Sequence, residues 1–515
     1  MTIANPGLIV VVSSVVFLWL RRRSRFAHPY PPSPPGGLPL LGNALQLPIK
    51  HEWETYERWG KELGTDIMYL NAAGTQLVIL NSLDDTKYLL ETRSAKYSSR
   101  YVGYRANRMG FNWIMPVLPY TDAKWKAQRR MFSQYFHASD KGAYEQQVTQ
   151  VIRRMAVRFV DAPENFMRHA RLMVGGVGFS LAYGIEADRE NDPNIILAEK
   201  ALGIAFDASL PGKRYLVDLI PAMKYIPEWF PGANFQKDAK EGRRLMNEFL
   251  NTPFAQAEQA ALRGTILPSL VSRAMDDIRD GIYPDPDLAY QTMKETAATF
   301  YAAASATTTT SVNNFILSMM MHPDIQKKAQ KELDSVVGSG RLPQFSDAPQ
   351  LPYIFAVLKE SMRWRPTSGL GLPHMCVEDD IYKGYLIPKG ALVMANQWLM
   401  QQNPVKYPEP HKFIPERFLT ADGKPNTDAP DPYEVSFGFG RRVCPGSHIA
   451  TAINFMAAAT LLSLFEISKP LDEHGKEIEP SMEVTTGVTA QPLPFKCSFT
   501  LRSKYAEDLI RSSVE

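Results

Sequence analysis

Cys444 lies in the stretch FGFGRRVCPG, Phe437 to Gly446, and its neighbours decide what a single sulfur could do there. Glycines at 438, 440 and 446 permit close backbone approach and positive φ. Pro445 follows the cysteine and can open the next helix, SHIATAINFMAAATLLSLF, in its N-terminal turn. Cys444 therefore stands just before a helix N-terminus, where the dipole and the free N–H groups favour a thiolate. A thiolate in a glycine-rich loop, with N–H donors aimed at sulfur, meets the needs of an axial ligand to haem iron. An isolated cysteine is by default a small buried hydrophobe, and this loop argues against that default.

A second stretch is odd in another way. AAASATTTT, Ala302 to Thr310, sits inside a long helical run, although four successive β-branched hydroxyl residues lower helix propensity. Their hydroxyls can bond the carbonyl one turn back, and small side chains at Ala302–Ala306 open a groove. A third candidate is the pair Glu360 and Arg363 in KESMR, which share a helix face at i and i+3. Taken alone, such a pair is usually a surface ion pair worth ~0–1 kcal/mol.

These groups need a framework. Past Leu41 most of the sequence reads as helix, with apolar spacing near 3.6 over His51–Leu63, Ala123–Phe136, Gly142–Phe159, Phe235–Leu262 and Asp285–Met321. DIMYL (Asp66–Leu70) and QLVIL (Gln76–Leu80) flank an AAGT turn as a hairpin, and short strands lie near Tyr382–Leu386. Pro404 to Pro432 is proline-rich and aperiodic, a long irregular segment of the kind usually tied to function. A single, mainly helical domain with a small β-sheet follows, spanning 45–515. The 515 residues are 45% hydrophobic and 22% charged, which excludes a disordered chain. A net charge of +3, with no zinc-finger or RNA-binding signature, points away from nucleic acid. Three widely spaced cysteines, Cys376, Cys444 and Cys497, argue against a disulfide framework and for a reducing compartment.

The N-terminus reads as a targeting element. Thr2 to Leu20 carries no charge and is followed by RRRSR, Arg21 to Arg25. Nineteen helical residues span about 28 Å, close to the ~30 Å hydrocarbon core of a bilayer. The arginines follow the apolar block, whereas a cleaved signal peptide places them before it. Residues 1–25 are therefore expected to be a retained single-pass anchor with the bulk of the chain cytoplasmic. PYPPSPPGG, Pro29 to Gly37, within a hinge over 26–44, is expected to form a stiff extended spacer.

Phe437, Gly440, Arg442, Cys444 and Gly446 together give F-x-x-G-x-R-x-C-x-G, and with them the chain resembles the cytochrome P-450 family. Supporting motifs fall in that family's order: Trp125 and Arg129 in KWKAQR, Glu360 and Arg363 in KESMR, and Arg417 in PERF. The resemblance runs from the proline hinge to LPFKC at Leu493–Cys497, in the style of microsomal fungal enzymes of secondary metabolism. It implies the P-450 fold, haem b (iron protoporphyrin IX) held by an axial thiolate at Cys444, and a haem-thiolate monooxygenase. It implies that Trp125, Arg129, His374 and Arg442 meet the haem propionates, as cationic and N–H donors meet carboxylates. It implies a buried structural triad of Glu360, Arg363 and Arg417, in which breaking one member costs roughly 3–5 kcal/mol.

The family's oxygen-activating helix carries A-G-x-[D/E]-T-T, and here the register gives Ala303-Ala304-Ser305-Ala306-Thr307-Thr308. Thr307 takes the alcohol position, and Ala306 stands where the acid belongs. Proton relay is expected of Thr307, with Thr308 and ordered water, while Thr309 and Thr310 are expected to be packing residues. The family's pocket regions map onto Tyr104–Leu118, Thr299–Thr308, Thr367–Pro373 and Thr485–Ala490, with Phe111, Ala303, Leu370 and Val488 among the lining residues. No charge falls in the last three, so the expected substrate is a neutral lipophilic molecule, of the terpenoid or polyketide type. Expected partners are a separate NADPH–cytochrome P-450 reductase docking on Lys124, Lys126, Arg129, Arg130, Arg441 and Arg442, together with cytochrome b5. The expected location is the endoplasmic reticulum membrane, into which the apolar loop bearing Leu216, Leu219, Ile220, Ile226, Trp229 and Phe230 would dip. Two rivals stand beside this: a haem-thiolate isomerase or dehydratase needing no external electrons, which the missing acid favours, and a non-catalytic haem binder.

Overall fold

A computed structural model describes residues 28–514, except 102, 104–106, 188, 210–224 and 231–232. The chain is mainly helical. In order, the longer elements are α1 (Glu52–Leu63), β1 (Ile67–Ala72), β2 (Thr75–Leu80), α2 (Ala123–Tyr135), α3 (Glu145–Asp161), α4 (Phe166–Tyr183), α5 (Pro193–Ser209), α6 (Asn234–Leu262) and α7 (Leu270–Arg279). Then come α8 (Pro286–Met321), α9 (Pro323–Val336), α10 (Pro352–Trp364), β3 (His374–Met375), β4 (Asp380–Tyr382), β5 (Tyr385–Ile387), β6 (Leu392–Ala395), α11 (Ser447–Leu464), β7 (Phe465–Ser468), β8 (Ser498–Leu501) and α12 (Lys504–Ser512).

The axle of the fold is α8, which packs against α2, α4, α6, α7, α10 and α11. Its start is set by Asp285, whose carboxylate accepts from the Leu288 N–H at 3.0 Å, and by Pro286 in the first turn. It ends at His322, where Pro323 opens α9. Being apolar on most faces, it is buried over most of its length from Thr292 onward, as such helices are. The same is true of α11, the described helix apolar and long enough to cross a membrane, which lies buried in the core.

The hairpin β1–β2 pairs in register from Ile67↔Leu80 to Ala72↔Thr75, so the strands run further than the AAGT reading and only Ala73 and Gly74 turn. Both have positive φ, 50° and 99°, as a two-residue hairpin turn requires. The sheet order is β1-β2-β6-β3, with β6 parallel to β2. The proline-rich stretch does not stand away from the globule as a spacer. The Pro29 carbonyl accepts from Leu386 N at 2.8 Å, Pro32 accepts from Tyr69 N at 2.9 Å, and Tyr30 stacks on Tyr69. Proline lacks only the donor, so its carbonyls still serve a sheet edge. The expected anchor over 1–25 lies outside the described residues.

Candidate active site

The cysteine loop is shaped by contacts that a larger residue would break. Gly440 adopts φ 56°, and a Cβ there would stand 2.2 Å from the Leu90 carbonyl oxygen. The loop closes through Cys444 N–H donating to the Phe437 carbonyl at 2.8 Å, and Gly446 leads directly into α11. Burial pushes the Cys444 thiol up, while the Gly446 N–H and the Arg129 guanidinium pull it down. Burial wins, so the loop alone does not hold a thiolate; a bound metal cation deprotonates a coordinating thiol outright. The other two cysteines lie elsewhere in the core. Cys376 is pushed up to about 11 and Cys497 to about 12, both chiefly by burial.

Beside the loop is a pocket of positive charge. Arg442 reaches back from it, donating to the carbonyls of Ser98 at 2.6 Å and Leu118 at 2.5 Å, with its guanidinium 4.6 Å from the centre of the Trp125 ring. Arg129, one turn beyond Trp125 on α2, donates to the Val443 carbonyl at 2.7 Å. His374, on β3, is buried, with Nδ1 2.7 Å from the Tyr97 carbonyl. A fourth residue escaped the sequence reading. Arg100 is 8% exposed, donates from Nη1 to the Leu372 carbonyl, and leaves its buried Nε without a partner among the described residues.

The electrostatics of this pocket are unbalanced. Burial and the neighbouring Arg442 push Arg100 down to about 9, and burial with Arg129 pushes Arg442 down to about 10. Burial, with Arg100 and Arg442 adding to it, drives His374 well below its usual range. Among the described residues no carboxylate pairs with Arg100, Arg129 or Arg442. Three guanidiniums without a counter-ion, one with an orphaned donor, fit an anionic group from outside the chain. A haem would satisfy the charge through its propionates and the Cys444 thiol through its iron, so the residues present fit that cofactor. A model of the cytochrome P-450 family matches residues 31–499.

The chain belongs to the cytochrome P-450 family. It is similar to the cytochrome P-450 monooxygenase ple1 of Rhodocybe pseudopiperita, 41% identical over 512 residues, covering 99% of this chain and 96% of that protein. It is also similar to cytochrome P-450 monooxygenase 98 of Postia placenta, at 38% identity with 99% and 98% covered. A third relative is the tryptamine 4-monooxygenase of Psilocybe cyanescens, at 37% identity with 94% of each covered. A P-450 carries haem on a cysteine thiolate and is an oxidoreductase of the monooxygenase class.

The charged triad expected for a P-450 comes together under the cysteine side. Glu360 and Arg363 are both fully buried, joined by Nε–Oε2 and Nη2–Oε1 contacts of 2.7 and 2.8 Å. Arg417 reaches Glu360 Oε1 at 3.2 Å, and the Ile414 N–H donates to the same oxygen at 2.8 Å. The aperiodic segment explains itself here. Its Pro408 and Lys412 carbonyls accept from Arg417 and Arg363, which an aperiodic backbone leaves free to do so.

On the threonine side, α8 changes character for one turn. Ala303 and Thr307 are exposed and Ala304–Ala306 half-buried, between runs that are buried. Thr307 Oγ1 donates to the Ala303 carbonyl at 2.9 Å. Thr309 and Thr310 are buried and bond back to Ser305 and Ala306 at 2.6 and 2.8 Å. Thr308, expected to work beside Thr307, is buried at 3% exposure, because one residue turns the helix by about 100°.

The expected pocket residues divide. Leu370 and Val488 line one cavity, whereas Phe111 sits in the main core at 1% exposure with Trp113 and Ile114. A network the sequence did not reveal ties this region to the propionate helix. Glu295 on α8, 3% exposed, accepts from Gln128 Nε2 at 3.0 Å, and Thr299 donates to Gln128 Oε1 at 3.3 Å. Met115 N–H in turn donates to Thr299 Oγ1 at 3.3 Å. Of the expected docking cations, Lys124, Lys126, Arg130 and Arg441 are exposed, while Arg129 and Arg442 turn inward.

Proposed function

We propose that this P-450 is an NADPH- and dioxygen-dependent monooxygenase of a neutral lipophilic small molecule, a fungal secondary metabolite of the terpenoid or polyketide type. The observation that carries the reading is the pairing of the Cys444 loop with an uncompensated pocket of buried cations. In this assignment Cys444 would hold the haem iron through its sulfur, framed by Phe437, Gly440 and Gly446. Arg100, Trp125, Arg129, His374 and Arg442 orient the propionates, and the Glu360–Arg363–Arg417 triad fixes the segment that carries the loop. Haem held in this way supplies the splitting of dioxygen and the transfer of one oxygen atom to the substrate.

The chain's own part is to place protons and exclude water. Thr307 offers a hydroxyl at the exposed turn of α8, and its bond to the Ala303 carbonyl fixes the direction of that hydroxyl. With Ala306 in the acid position, its protons pass through ordered water rather than a neighbouring carboxylate. Substitution of Ala306 by Asp is therefore expected to raise product formed per NADPH and to lower hydrogen peroxide release. Unchanged coupling would remove the missing acid as the limit.

The relative in Psilocybe cyanescens is named for tryptamine, an amine. The absence of charge from 299–308, 367–373 and 485–490 favours a neutral molecule here. Electrons come from a separate NADPH–cytochrome P-450 reductase, with cytochrome b5 as a second donor, docking on the exposed cations by a steering that fades with salt. Residues 1–25 anchor the chain in the endoplasmic reticulum membrane, and the cytoplasmic catalytic domain over 45–515 takes the proline-rich stretch onto its sheet edge. Tyr225, Trp229 and Phe230 are exposed at 78, 80 and 49%, and their exposure favours contact with the bilayer over burial under neighbouring helices. The test of the whole reading is product analysis under labelled dioxygen, with and without reductase. Label in the product only when reductase is present supports it; product without reductase indicates an isomerase or dehydratase.

A further inference from the structure

A cavity of about 80 Å³ lies between α1, the sheet and the loops at 370–373 and 487–488, bordered by Trp53, Tyr56, Leu77, Leu370, Met394 and Val488. We propose that it is a binding subsite for the oxygen-bearing end of a neutral lipophilic substrate, with the Trp53 indole N–H as its hydrogen-bond donor. The proposal rests on the reading that this P-450 acts on a lipophilic small molecule, and it adds where that molecule's polar end is held.

Trp53 is 4% exposed, and its buried Nε1 has no partner among the described residues. The ring cannot easily turn to find one. A Cβ at Gly369 would stand 2.1 Å from Cε3 of the indole, so the ring lies directly on backbone, and His51 stacks against it at 5.5 Å. The Trp53 carbonyl is held by Asn396 Nδ2 at 3.0 Å. A buried donor of this kind carries a desolvation cost that an acceptor in the cavity relieves.

The remaining walls are mostly apolar, so they select a molecule with little else to satisfy. Leu372 both borders the cavity and gives its carbonyl to Arg100, so the subsite shares a wall with the propionate pocket and lies within a small molecule's length of it. Leu47 and Pro48 are also in the lining, and Leu45 and Ile49 beside them are exposed at 65 and 67%, an apolar approach. Glu52 borders the cavity too, which disfavours an anionic end. Since a cavity of about 150 Å³ holds benzene, this space takes about three heavy atoms, the end of an arm rather than a whole substrate.

The test uses the full-length, haem-loaded protein with two probes whose carbonyl or methyl end is of that size, cyclohexanone and methylcyclohexane, followed by calorimetry and by crystals soaked in each. Trp53→Phe keeps the ring packing and removes the donor; Val488→Phe fills the space. Cyclohexanone is expected to seat its oxygen on Trp53 Nε1, to lose at least fivefold in affinity in Trp53→Phe and to be excluded from Val488→Phe. Methylcyclohexane should bind wild type and Trp53→Phe equally. Equal cyclohexanone affinity in Trp53→Phe overturns the proposal, as does undiminished binding in Val488→Phe, which decides the matter if the tryptophan variant does not fold. No turnover is measured, so a protein that binds the ketone in this way but oxidises nothing would overturn the monooxygenase reading alone.

Discussion

Two buried clusters of charge are built on opposite rules. In the triad, charge is fully answered: the Glu360 carboxylate accepts from Arg363, Arg417 and the Ile414 backbone, with no exposure at all. In the pocket beside the Cys444 loop, Arg100, Arg129 and Arg442 have no carboxylate partner among the described residues, and Arg100 Nε has no partner among them at all. A satisfied buried network makes one geometry rigid, and an unsatisfied one leaves donors for a guest. The first property suits a fixed frame, the second suits receiving an anionic cofactor.

That contrast is most easily broken at Glu360. Glu360→Ala leaves the Arg363 guanidinium buried and unpaired, which is expected to cost about 3–5 kcal/mol. Thermal unfolding and haem content measure it, and a variant that melts with wild type would mean that the cysteine side does not depend on its paired charge. Arg100 sharpens the comparison from the other cluster, as a buried cation without a carboxylate partner among the described residues. Arg100→Ala is expected to weaken haem retention by about 1.5–3 kcal/mol, the worth of a charge-assisted hydrogen bond. The haem-free protein should melt no lower, since a desolvated cation has been removed. A fall in melting temperature equal to the loss in haem retention would make Arg100 a structural residue instead.

The same contrast explains what could be read from the sequence. The cysteine side was legible because its demands are on residue type at fixed spacing: glycine at 440 where a Cβ meets Leu90, and Glu360 and Arg363 one turn apart. Helices with one apolar face were legible too, and α1 and α2 begin and end within a residue or so of their expected bounds, while α8, apolar on most faces, was bounded by Asp285-Pro286 at its start and His322-Pro323 at its end. The helix α4 was not, since it is buried on nearly every face and so carries no period. Strand β6 was missed because its partners are non-local, Leu77–Leu80 across the chain. Arg100 lies in no motif, and only the fold sets it against Arg442 and His374. The Glu295–Gln128–Thr299 network was hidden for the same reason: its members come from two helices that only packing brings together.

The finest test lies within the run of threonines itself. Thr307 and Thr309 make the same bond, a hydroxyl to the carbonyl one turn back, but Thr309 is buried and Thr307 is exposed. Valine keeps the shape of threonine and deletes the hydroxyl, so each substitution removes one hydrogen bond of about 0.5–1.5 kcal/mol, offset in part at 309 by the gain from a buried methyl. Both variants are therefore expected to unfold within about 1 kcal/mol of wild type. Their chemistry should part. Thr307→Val should release more hydrogen peroxide per NADPH, while Thr309→Val should stay coupled. Equal uncoupling in both would mean that the hydroxyls act through the shape of α8, since a group at 3% exposure cannot pass a proton to dioxygen it does not meet. Uncoupling in Thr307→Val alone ties proton delivery to the single turn where the helix opens.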